Sequence, residues 1–140
     1  MDDLLKRALD QWERAVFPFE NGQATLLSVF DAFDVPGRYY HTLQHIAEMT
    51  VLLAEQRNSV QNLTDLVLAS LWHDIVYDAR RSDNEEKSVE LWRRDAARMQ
   101  VPSPTIEHVS DLILATRTHQ PAPDTQDRSE EHTSELQSLR

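Results

Sequence analysis

The chain has 140 residues and a formal net charge of −10, with 40% hydrophobic and 27% charged residues. That is enough for one domain with a single core, and the ordinary composition excludes wholesale disorder. The acidic balance argues against a nucleic-acid or anionic-membrane surface. With no cysteine, disulfides and thiolate metal sites are excluded and any metal must be held by nitrogen and oxygen.

In chain order the periodicity is helical almost throughout. Leu4, Leu5, Ala8, Leu9, Trp12 and Val16 form one stripe, stopped near FPFENG. Residues 24–33, ATLLSVFDAF, predict a second helix, closed by DVPG. A third starts near Arg38 and carries Leu43, Ile46, Met49, Leu53 and Ala54 at helical spacing. Asn62 is the expected N-cap of a fourth that runs through LTDLVLASLWHDIVYD, with Asp65 in its first turn. Ser82 with Glu85 reads as a capping box opening a fifth helix. Ser103 is the expected cap of the sixth, with Pro104 at its first helical position.

Two glycines in the whole chain leave few hairpin or bulge positions, and no segment alternates as a strand does. The expectation is an all-α bundle of about six helices. No apolar run is long enough for a bilayer, the longest being LVLASLW at 66–72, and the charged N-terminus has no signal-peptide core. The expected setting is cytoplasmic, with no nucleic acid and no membrane as partners.

Residues 128–138, RSEEHTSELQS, match the in-frame translation of a common sequencing-library adapter at all eleven positions. Residues 128–140 are therefore expected to be a non-native tail. The helical domain is placed at 1–127, and the native frame is expected to continue past Asp127.

Three features carry chemistry. His41 and His45 lie four residues apart on the third helix and so share one face. Both can serve one ion, one can bind metal while the other meets substrate, or the pair can be solvated. His73-Asp74 interrupts an apolar run, and a carboxylate buried there needs a counter-charge. A cation supplies one; an arginine partner, with His73 as a satisfied core histidine, is the structural alternative. The third feature is a set of polar residues at helix ends: Asp78, Asn84, Glu85 and His119, with Arg38 three residues before His41. An arginine there has the fork geometry for a phosphate, although a capping role by itself explains Glu85.

Together, PGRYYHTLQHIAEM, LASLWHDIVYD, DNEEKSVEL and ILATRTHQP resemble, in order, segments of the HD superfamily of metal-dependent phosphohydrolases, and in particular its small bacterial HD-type hydrolases. The resemblance covers about residues 5–125. It implies an HD-domain-like bundle, metal ligands at His45, His73 and Asp74, and His41 beside the substrate as proton donor. It further implies Arg38 and His119 at the phosphate and Glu85 orienting water or a second metal. The fourth ligand expected of the family, an aspartate beyond ATRTHQP, has no matching segment, since Asp124 and Asp127 do not fit its pattern.

The implied cofactor is a divalent ion, Mn, Fe, Co, Ni, Zn or Mg, which ligand type alone does not separate. Such an ion lowers the pKa of a bound water and polarises a phosphoryl oxygen. The implied substrate is a small phosphorylated metabolite or nucleotide. The alternatives are a catalytically impaired HD-like module that binds a nucleotide or partner, a purely structural helical protein, and a di-iron oxygenase of the same superfamily.

Overall fold

The computed structural model describes residues 3–34, 39–56, 62–76 and 82–116, the side chains of 39–42 excepted. Six helices follow one another: α1 Asp3–Val16, α2 Gly22–Ala32, α3 Tyr39–Glu55, α4 Leu63–Trp72, α5 Asn84–Arg98 and α6 Ser103–Ala115. Among the described residues there is no strand, so the protein is an all-α bundle. None of these helices is long and apolar enough to cross a membrane.

The bundle is organised around α4. Every residue from Leu66 to Trp72 is buried, as expected of a short helix that is apolar all round. It packs against α1, α3, α5 and α6, while α1 also meets α2 and α3, and α5 meets α6. Three tryptophans fill the core, and each indole N–H finds an acceptor. Trp12 donates to Thr50 Oγ1 at 2.9 Å, Trp72 to Asp95 Oδ2 at 3.0 Å, and Trp92 to the Ile106 carbonyl at 3.1 Å. Each of these bonds joins two different helices. Trp72 and Trp92 also meet edge to face, with ring centroids 5.0 Å apart.

Two turns depend on backbone geometry. Gly22 opens α2 so close to the end of α1 that an added Cβ would lie 2.1 Å from the Val16 carbonyl oxygen. α5 ends in a Schellman arrangement: Gln100 is left-handed at φ 56°, its N–H reaches Ala97 O, and the Val101 N–H reaches Ala96 O. The two remaining carbonyls of that end accept from the α1–α2 turn. Asn21 Nδ2 donates to Arg98 O at 3.2 Å, and the Glu20 N–H to Met99 O at 3.1 Å.

Several expected boundaries move. α2 begins two residues before Ala24, at Gly22. The capping box at Ser82 and Glu85 does not form, because α5 starts at Asn84 with Asp83 at the cap position and no side-chain cap hydrogen bond. Asn62 does stand at the N-cap of α4, but in a left-handed conformation and without a side-chain cap hydrogen bond. Ser103 is the first helical residue of α6, not its cap, which is Pro102, and Pro104 is second. The largest shift concerns α4. It stops at Trp72, so His73 and Asp74 lie in the turn that follows and not in mid-helix.

Candidate functional site

The end of α4 leaves carbonyl oxygens without helical partners, and the next residues supply them. The His73 N–H bonds Ala69 O at 2.9 Å, and the Ile75 N–H bonds Trp72 O at 3.1 Å. Ser70 O is met by the His73 ring, whose Nδ1 lies 2.8 Å away. A carbonyl can only accept, so Nδ1 carries the hydrogen and the remaining ring nitrogen, Nε2, is the one turned to other business. His73 is thus a side-chain cap of the helix C-terminus, a place where positive charge is favoured.

Nε2 lies 3.4 Å from Asp74 Oδ2. The imidazole is buried, whereas the Asp74 side chain retains 22% of its exposure. In a neutral ring with Nδ1–H, Nε2 offers a lone pair, and together with the neighbouring carboxylate it would attract a cation. The pair is chemically suited to hold positive charge at the mouth of the turn.

A buried polar chain runs behind it. Ser70 Oγ donates to Val67 O at 2.7 Å, which uses its only hydrogen. The 3.2 Å contact between Thr50 Oγ1 and Ser70 Oγ must therefore be donated by Thr50, which itself accepts from Trp12. Each hydroxyl donates once and accepts once, joining α1, α3 and α4 without an unmet group on either hydroxyl.

The segment is also tied forward to α5. Ser88 Oγ accepts from the Val76 N–H at 3.2 Å and faces Val76 O at 3.5 Å. Asp95, buried, accepts from the Trp72 indole and from Arg94 Nε and Nη2 at 3.3 and 3.2 Å. Ser88, Trp92 and Asp95 fall on one stripe of α5 at i, i+4 and i+7. Thr50, Ser70, Ser88 and Asp95 are not among the residues singled out from the sequence. Their signal was present, as polar side chains set on the apolar faces of their helices.

α3 and α4 pack against each other and touch through Thr50 and Ser70. His45 is half-buried in α3, between exposed Glu48 and Leu52 and the buried face of that helix. Among the described residues no group of three or more histidine, cysteine, aspartate or glutamate side chains can hold a metal ion. The His73–Asp74 pair fits a cation, but these residues do not form a complete metal site.

Of the other candidates, Glu85 is half-buried in the first turn of α5, beside half-buried Asn84. His41 is in α3, with its side chain outside the described residues, and Arg38, Asp78 and His119 lie outside them altogether. A second histidine–carboxylate contact, not anticipated from the sequence, lies near the opposite end of α4. There His108 Nδ1 is 2.7 Å from Asp65 Oδ2, and this half-buried tie joins α6 to the first turn of α4.

Comparison of the chain with protein-family models, with curated proteins and with solved structures finds no match in any of the three.

Proposed function

We propose that the protein is an HD-type phosphohydrolase that hydrolyses a phosphate ester of a nucleotide or other small metabolite, with His73 and Asp74 at the centre of its site. The observation that carries this reading is the orientation of His73. Its Nδ1–H is held by the Ser70 carbonyl, and its Nε2 stands 3.4 Å from the Asp74 carboxylate. A divalent cation is the ligand that such a pair would favour, and a substrate phosphate would be drawn to that cation and not to the carboxylate. His73 contributes a ring of fixed tautomer, and partly exposed Asp74 contributes the negative charge that a cation requires. His41, His45, Glu85, Arg38 and His119 are assigned their roles by the family resemblance alone.

The test is a phosphate-release screen over phosphorylated metabolites with Mn²⁺ present, run on the wild-type chain and on Asp74→Ala. Release by the wild type that falls at least about a hundredfold in the variant is expected of a residue carrying the site. Equal release by the two proteins sinks the enzyme reading.

One observation favours a second reading. With no group of three or more metal-ligating side chains brought together among the described residues, the fold also suits a module that binds a phosphorylated ligand without turning it over. It predicts saturable nucleotide binding in calorimetry, reduced in Asp74→Ala, with no phosphate released.

A further inference from the structure

α4 ends at Trp72, and its last rung is the His73 N–H on Ala69 O. Beyond that point the chain is turn and bend, a backbone with more freedom than helix unless further contacts hold it. Besides the His73 ring on Ser70 O, contacts from α5 exist at both ends of the segment. Trp72, immediately before the pair, is held through its indole by buried Asp95 at 3.0 Å. Val76, two residues after the pair, is held through its backbone by buried Ser88 at 3.2 Å. The two anchors stand seven residues apart on one face of a rigid helix, so they fix the direction of the segment as well as its position. Neither is what packing alone would select. A serine and an aspartate at buried positions each carry a desolvation cost, and apolar residues of similar volume would serve the core as well.

We infer that Ser88 and Asp95 are positioning residues that hold the His73–Asp74 pair in a fixed orientation after α4 has ended. They act through Val76 and Trp72 and touch neither a substrate nor a reacting atom. The inference gives the pair of the proposed phosphohydrolase site its support, but its geometry stands whether or not that reading does. An aspartate at 95 serves by being an acceptor for the Trp72 N–H, so asparagine should replace it and leucine should not.

The test follows the His73 ring by nitrogen-edited NMR of the full chain at one pH, well below the melting temperature of every variant. In the wild type the His73 Nδ1–H, bonded to Ser70 O, gives a slowly exchanging resonance. Ser88→Ala and Asp95→Leu are expected to lose that slow exchange, whereas Asp95→Asn keeps it. A role confined to stability would lower the melting temperature of all three and leave the resonance unchanged. If Asp95→Leu does not fold, Ser88→Ala against Asp95→Asn still decides. Retention of the protected resonance in Ser88→Ala overturns the inference. A parallel Mn²⁺ titration of the wild type bears on the other question: absence of binding tells against the metal-dependent reading and leaves the positioning role to the NMR result.

Discussion

The ring of His73 and the backbone of Ser70 are joined by a 2.8 Å hydrogen bond that does two jobs at once. It satisfies a carbonyl left over by the end of α4, and it decides which imidazole nitrogen faces Asp74. The side chain of the same Ser70 ends the buried chain that begins at Trp12. One residue therefore links the core of the bundle to the candidate site.

That chain gives the first prediction. Thr50→Val keeps the shape of the side chain but removes the acceptor of the Trp12 N–H and the donor to Ser70. Leaving a buried indole N–H without a partner should lower stability by about 1–3 kcal/mol. Urea denaturation monitored by tryptophan fluorescence measures it. A change below a few tenths would mean that the chain contributes nothing.

Gly22 and Gln100 make opposite predictions about backbone. Gly22→Ala drives a Cβ to 2.1 Å from the carbonyl oxygen of Val16, and that atom is backbone with little room to yield. A loss of about 3 kcal/mol is expected, seen as a lower midpoint in denaturant.

Gln100 is a non-glycine residue in the left-handed region at the close of α5. Gln100→Gly should relieve that conformation and raise stability by about 0.5–1 kcal/mol, after allowing for the greater freedom of glycine in the unfolded chain. The melting temperature should rise by a few degrees for a domain of this size. A fall would show that the side chain of Gln100 matters more than its φ.

Arg93 and Glu107 form a two-pronged pair at 2.7 and 2.8 Å between α5 and α6. The hydrogen bond from Arg93 holds the Glu107 carboxyl below its ordinary 4.5, and the same bond raises the Arg93 guanidinium. A carboxyl lowered by folding stabilises the folded state above its unfolded value, and loses that effect as pH falls through the folded value. The stability difference between wild type and Glu107→Gln should thus be constant near neutrality and vanish in acid. Because the pair is exposed to solvent, the difference should be small and should shrink further in high salt. Thermal melts across acid to neutral pH at two salt concentrations read both effects. A difference that persists in strong acid would assign it to packing.

Six helices were legible because the apolar spacing that buries Ala8, Trp12 and Val16, or Ile46, Met49 and Leu53, is written locally. Their ends were less so. Ser82 and Glu85 have the residue types of a capping box, yet α5 begins at Asn84 with Asp83 at the cap position and no side-chain cap hydrogen bond. Local propensity is a weak prior where tertiary bonds compete with it.

The candidate site divides in the same way. That His73-Asp74 is polar in apolar surroundings, and that His41 and His45 share a helical face, are properties of spacing and so belong to the sequence by itself. Placement of the pair in the turn beyond Trp72 appears only in the structure, and the choice of Nδ1 as the hydrogen-bearing nitrogen follows from the local contact with Ser70 O. What tertiary packing decided is how that turn is held, through Thr50 on Ser70 and through α5 on Trp72 and Val76. A period of 3.6 residues states which residues share a face, but the angle at which that face meets its neighbour is set only when the cores of both helices pack.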